Sequence, residues 1–231
     1  MALILLIVIN LGREAFEAGI FRLAELEYRR SLFFNEEIKR EDSLRLAICF
    51  LREDRYALAS TLLEGKGDKG SHILAKYYLA RGSYHSAVVE LMDLMLSDHS
   101  DSIREMLGLA LLLQGNIKEA SSYLPIQNLS LKNDKMGLLL SSLIPGTGEI
   151  YGGKPLLGLI DLTMNGATAY LLFRSIKNRN LLDGLIILYF LSFRFYNGSR
   201  INAMKAVEGW NQKEIEGLIR KQGWDRWLSF Y

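Results

Sequence analysis

The sequence predicts an all-α protein built as an array of helical repeats, then a hairpin of two apolar helices, then an amphipathic tail. Three observations predict it. Four short blocks of the front half can be laid over one another. No segment there alternates with period two while carrying strand-type residues. Charged residues crowd positions 13–135, whereas Met136 to Phe193 carries only Glu149, Lys154, Asp161, Arg174, Lys177, Arg179 and Asp183.

The 231 residues admit one large domain or two small ones, and the composition break near Lys135 sets the boundary. Four regions follow: 1–10, an apolar signal or anchor remnant; 11–135, the repeats; 136–202, the apolar hairpin; and 203–231, the tail. The first region, in "MALILLIVINLGREAF", has an apolar run from Ala2 to Ile9 without the basic start or small-residue cleavage site of a complete secretory signal. It reads either as a signal or anchor or as the first helix of the repeats. Eight uninterrupted apolar residues exceed what one amphipathic stripe needs, which favours the signal or anchor.

The four blocks of the second region are "AGIFRLAELEY", "EDRYALASTLL", "RGSYHSAVVEL" and "QGNIKEASSYL". Each has a turn residue, then an aromatic or aliphatic residue (Phe21, Tyr56, Tyr84, Ile117), then an alanine three positions on (Ala24, Ala59, Ala87, Ala120). The alanines lie 35, 28 and 33 residues apart. That spacing suits a helix, a tight turn carrying Gly19, Gly82 or Gly115, and a second helix whose small residue lets the backbones approach. This part resembles the tetratricopeptide repeat family over about residues 11–125, with Leu11 and Gly12 matching its Leu-Gly pair. The resemblance implies a stack of helix pairs with a groove for a peptide or partner helix, and no chemistry of its own. A plain helical bundle is the alternative arrangement.

Other residues of the front half point away from catalysis and metal binding. Cys49, the sole cysteine, excludes an intramolecular disulfide, and its setting "RLAICFLRED" reads as a buried, inert thiol on a helix face. His72, His85 and His99 lack the i+3 or i+4 spacing of paired ligands, so exposed histidines are expected rather than a metal site. In "LSDHSDSIRE", Ser102 with Glu105 has capping-box spacing, and Asp101 is an alternative N-cap. A net charge of +2, dispersed along the chain, excludes the clustered basic face of a nucleic-acid binder.

In the third region, "LLGLIDLTMNGATAYLLF" from Leu156 to Phe173 holds no Lys or Arg over 18 residues, enough to cross a hydrocarbon core of about 30 Å. "LLDGLIILYFLSFRFY" from Leu181 to Tyr196 follows after the basic turn "RSIKNRN", completing a membrane hairpin. Asp161, Asn165 and Thr168 share one helix face with Gly158, and Asp183 or Ser192 could receive them from the second helix. This set reads either as interhelical hydrogen bonding, which the lack of a continuing charge chain favours, or as an ion path through Asp161, Asn165 and Asp183. In the fourth region, Val207, Trp210, Ile215, Leu218 and Ile219 are apolar among charges, and Trp224, Trp227, Phe230 and Tyr231 close the tail. It suits the membrane surface or a return onto the repeats.

The stretch "SSLIPGTGEIYGGKP" contains most of a Walker A loop, but Pro155 occupies the Ser/Thr position that would hold magnesium, and an apolar helix follows. Nucleotide binding is excluded on that ground, and no cofactor or catalytic residue is expected. Pro155 instead opens the helix, the glycines permit a close turn at the membrane surface, and Tyr151 suits headgroup depth. "IPGTGEIYGGKPLLGL" resembles the P-G-x-G-x-x-Y-x-G-[KR] signature of the bacterial two-transmembrane-segment domain family, over about residues 136–205. Pro145, Gly146, Gly148, Tyr151, Gly153 and Lys154 match it, while Glu149 stands where glutamine is common.

Together these readings predict a non-enzymatic scaffold of the bacterial envelope that contacts membrane lipid and a protein or peptide partner. By the positive-inside rule Arg174, Lys177 and Arg179 argue for a cytoplasmic hairpin turn, while Arg194, Arg200 and Lys205 flank the other end; a secretion signal at the N-terminus agrees with the cytoplasmic turn and puts the repeats on the periplasmic side of the inner membrane. A small channel or transporter component is the alternative.

Overall fold

The computed structural model describes residues 11–33, 40–65, 67–126 and 129–230, so the apolar start at 1–10 lies outside the described residues. Those described are helical throughout, with no strand among them. They fall into two compact units, one formed by the chain up to Ile126 together with Gly223 onward, the other by Gln127–Gln222.

The first unit consists of helix pairs. Its helices are α1 (described over 11–17), α2 (Phe21–Phe33), α3 (Arg40–Arg52), α4 (Tyr56–Leu63), α5 (Asp68–Ala80), α6 (Tyr84–Ser97), α7 (Asp101–Gln114) and α8 (Ile117–Ala120). The turns α1–α2, α3–α4, α5–α6 and α7–α8 are one structure repeated. In each, a residue in the left-handed region ends the first helix: Gly19 (φ 75°), Asp54 (φ 61°), Gly82 (φ 74°) and Gly115 (φ 94°). The next residue donates its N–H five positions back: Ile20 to Ala15 at 2.8 Å, and Arg55 to Phe50, Ser83 to Tyr78 and Asn116 to Leu111 at 2.9 Å. This is the Schellman closure, which satisfies the otherwise orphaned carbonyls of a helix end. Ala24, Ala59, Ala87 and Ala120, the residues that set the register in the sequence, are all fully buried.

A Cβ added at Gly115 would meet nothing within 4 Å, so the cost of Gly115→Ala is conformational alone. It is expected to be about 1–2 kcal/mol, the penalty of a left-handed L-residue. Asp54→Gly relieves the same penalty and is expected to raise stability, less whatever its ion pair with Arg81 contributes. Opposite shifts in the urea midpoint of helix loss check the pair.

Apolar positions fill the unit's interior. Helix α7 is buried almost all round through Ile103, Met106, Leu107, Leu109, Leu111 and Leu112, which marks it as a central element rather than a surface one. Cys49 is buried as expected, and burial pushes its thiol up to about 12, far from the range of a nucleophile. The start of α7 differs from the sequence expectation: Ser100 is its N-cap, neither Asp101 nor Ser102. Glu105 is not part of a capping box because its carboxylate is bound elsewhere, by Arg226 and Trp227.

Those two residues belong to a 3-10 turn, Trp224–Trp227, that the composition of the tail left free to lie on the membrane or on the repeats. In the structure it lies on the first unit, against α5 and α7. Trp224 is 3% exposed, and Phe230 meets Tyr77 edge-on with ring centroids 5.6 Å apart.

The second unit contains α9 (Asp134–Leu143), α10 (Thr147–Tyr151), α11 (Pro155–Lys177), α12 (Leu181–Ile186), a π-helical stretch (Ile187–Ser192) and α13 (Phe193–Gln222). Helix α11 is 23 residues, about 35 Å at 1.5 Å per residue. Among the described residues it is the one helix long and apolar enough to cross a membrane, and only 11% of its most apolar window is buried. It turns into α12 through another Schellman closure, with Arg179 at φ 57° and Asn180 N–H on the Ser175 carbonyl at 3.0 Å. Gly184 of α12 packs beside Ser175.

The second apolar run is not one regular helix, since α12 passes into the π-helical stretch before α13 begins. Nor does a boundary fall at residue 203. Ile187 and Phe193 both hold right-handed helical geometry, so the chain runs helically from Leu181 to Gln222. The change from apolar to charged composition there is not a change of backbone.

Candidate functional site

Residues 145–154 form a tight turn in which four of the ten residues are glycine. Pro145 precedes Gly146, which sits at φ 98° and caps α10; Gly153, at φ 80°, ends the turn; and Pro155 is the first residue of α11. Each glycine packs against the backbone or a side chain of a neighbouring helix. A Cβ at Gly146 would lie 2.1 Å from the Gly158 carbonyl oxygen, and one at Gly158 would lie 2.3 Å from that of Gly146, so α10 and α11 touch backbone to backbone. At Gly148 it would meet the Gly137 carbonyl at 2.2 Å and Ala203 Cβ at 2.6 Å; at Gly152, Ala206 Cβ at 2.5 Å; and at Gly153, the Trp210 ring at 2.5 Å. Small residues on both sides are what permit helices to approach this closely.

Glu149 is enclosed by this contact and is fully buried. Ser141 of α9 donates its hydroxyl to Glu149 Oε2 at 2.7 Å, and Ser199 of α13 donates to Oε1 at 3.1 Å. The glycine turn orients both serines: Gly148 N–H donates to Ser141 Oγ at 3.0 Å and Gly146 N–H to Ser199 Oγ at 2.9 Å. Glu149 is also hydrogen-bonded to Asp161, whose Oδ2 accepts from Asn202 Nδ2 at 3.0 Å. Burial, and next the bond to Asp161, push the Glu149 carboxyl above its ordinary range. In its protonated form, which burial favours, Glu149 can donate to Asp161.

The amides that a phosphate loop would offer are thus taken by serine hydroxyls. Tyr151 points to the segment before α9: its hydroxyl accepts from Asn133 N–H at 3.1 Å, and its carbonyl accepts from Lys132 Nζ at 2.7 Å. Lys132 also lies 3.3 Å over the Trp210 ring, and Asn211 holds the Lys132 backbone at both N–H and C=O. Lys154 is exposed.

The residues expected inside the membrane divide. Asn165 donates to the Asp161 carbonyl at 2.8 Å and, at 3.5 Å, to that of Phe195, so it ties α11 to α13. Asp183 is exposed at the start of α12, where it accepts from Asn180. Asp161 joins the Glu149 cluster, and Asp183 has no part in it. Between α11 and the second helix runs an apolar groove of about 1020 Å³, with Leu162, Gly166, Leu172, Leu185 and Phe193 among its walls.

Sequence reasoning did not find Ser141, Ser199, Asn202, Ala203 and Ala206. A signal existed for three of them: Ser199, Ala203 and Ala206 are small residues at i, i+4 and i+7, one face of a helix. Among the histidines, His85 and His99 are exposed, but His72 is half-buried, and burial followed by the nearby Lys76 pushes its pKa down. No group of three metal-ligating side chains occurs among the described residues. Compared with known proteins, the chain matches no family model, no curated protein and no solved structure.

Proposed function

We propose that this protein is a membrane-anchored interaction scaffold of the bacterial envelope, in which tetratricopeptide-like repeats hold a protein or peptide partner and the hairpin anchors them. The observation that carries the membrane part is the exposure of α11 and of the helix after it. Leu156, Tyr170 and Phe173 on one, and Leu181, Tyr189 and Phe193 on the other, are between 63% and 74% exposed. An apolar surface of that extent calls for lipid or a protein partner. The repeated turn with its buried alanine supports the repeat part, because identical helix pairs stack into an extended binding surface. The glycine turn then serves as the joint of the anchor, and its buried acid as a structural group.

This reading places the hairpin in the inner membrane with the basic turn Arg174–Arg179 in the cytoplasm and the repeats in the periplasm. Nothing in the geometry favours a transport path, since Asp161 and Asn165 bond to neighbouring helices and Asp183 stands apart from them. Fractionation tests the anchor: the full chain is expected to stay with membranes through carbonate washing and to leave them only in detergent. Recovery in the soluble fraction refutes it. Crosslinking and pull-down of the detergent-extracted chain test the scaffold, and failure to recover any partner by either route counts against it.

A further inference from the structure

The first helices of successive pairs, α3, α5 and α7, present a face that the chain itself covers. Arg226 Nη2 lies 2.5 Å from Glu105 Oε2 on α7, and Trp227 Nε1 donates to the same oxygen at 3.3 Å. On α5, Lys76 Nζ stands 5.5 Å from the Trp227 ring centre, and Tyr77 meets Phe230 edge-on. Leu228 and Phe230 close a pocket with Leu51 and Arg52 of α3 and with Ala80 and Arg81 of α5. One short segment thus crosses three consecutive helix pairs, which is how a stack of such pairs holds an extended peptide.

We propose that the segment Gly223–Phe230 is a built-in occupant of the surface where the repeats bind their partner, and that the partner is a peptide bearing two aromatic rings three residues apart with a basic side chain beside the first. This rests on the reading of the first unit as a peptide-binding repeat array. The chemistry of the surface sets the class of peptide: the Glu105 carboxylate takes a cation and an indole N–H together, and Tyr77 offers a ring edge for the second aromatic. Trp224 is buried and anchors the segment, and beyond it the hold is shallow and suited to exchange. Arg226 is more than half exposed at its side chain, Glu105 one third, and Trp227, Leu228 and Phe230 are only partly buried. A segment on the same chain nonetheless competes at a millimolar effective concentration, enough to keep weak ligands off. Gly223, at φ 69° with open space around it, is the point where the segment leaves α13.

The test uses a fluorescein-labelled peptide with the sequence of Gly223–Phe230 and the detergent-solubilised full chain, read by anisotropy. The wild-type chain is expected to bind the peptide weakly, and Trp227→Ala/Phe230→Ala to bind it at least about tenfold more tightly because the surface is vacated. Adding Glu105→Gln to that variant is expected to remove most of the gain. A full chain with a protease site inserted between Gln222 and Gly223 keeps every native side chain, and after cleavage and dilution it should bind the peptide as the double variant does. Equal binding by wild type, double variant and cleaved chain overturns the proposal. That failure differs from a failure of the scaffold reading, which is decided by partner recovery and not by this peptide.

Discussion

Gly146→Ala is expected to destabilise the second unit by about 2–5 kcal/mol. Two costs combine: a left-handed backbone that penalises any L-residue by about 1–2 kcal/mol, and a new methyl placed 2.1 Å from the Gly158 carbonyl oxygen. The overlap is with backbone, so it is relieved only by moving α10 away from α11, and overpacking of this kind costs about 1–3 kcal/mol. Against a total stability of about 5–15 kcal/mol, the sum takes a large share. Gly217→Ala is the control. Gly217 lies within α13 with nothing near its Cβ, so alanine there is expected to be neutral or to gain about 0.5–1 kcal/mol. Thermal unfolding in detergent, followed by protease resistance, should separate the two variants by many degrees. A Gly146→Ala protein that melts with the wild type would show that the two helices do not approach as described.

Glu149→Ala carries the second large effect, expected at about 3–4 kcal/mol, because it leaves the buried Ser141 and Ser199 hydroxyls without their acceptor. Glu149→Gln preserves both roles, its carbonyl accepting from serine and its amide donating to Asp161, and should stay within about 1 kcal/mol of wild type. Glutamine is also the residue common at this place in the signature the turn resembles. The pH dependence follows from the Glu149 proton. The folded carboxyl sits above its ordinary value of 4.5, so the folded state holds the proton more firmly than the unfolded one. Its contribution is complete below pH about 4.5 and declines as pH rises toward the raised folded pKa, beyond which it is flat. Glu149→Gln removes the decline, so its stability relative to wild type should increase with pH across that window. Denaturation of both proteins over a pH series measures it, and parallel curves would deny Glu149 the proton.

Much of this was legible in the chain because the responsible patterns are local. Apolar spacing gave helices, and the four alanines with their turn residues marked four turns that the structure closes with one hydrogen-bond pattern. Proline after Gly-Gly-Lys marked the start of α11. What stayed hidden depends on residues far apart in sequence. The glycines announced a close approach, but the approaching residues, Ala203 and Ala206, lie some fifty positions on. The burial of Glu149 had no local signal, since the serines that make a buried carboxyl tolerable lie on α9 and α13. The run of helix past residue 203 was obscured by composition, which reports what surrounds a helix rather than where it stops. Trp227 and Phe230 suited the membrane surface slightly better than a packed site, and only Glu105 and Tyr77 beneath them, far off in sequence, decide for packing.

The first unit draws on both sides of the second in sequence, and this has a consequence for synthesis. At about 5–20 residues per second, the stretch Gln127–Gln222 occupies a ribosome for on the order of ten seconds after the last helix of the repeats has emerged. During that interval α3, α5 and α7 are made but uncovered. The nascent chain therefore passes through a stage in which this face is open to solvent, and it is covered only when Trp224–Phe230 arrives.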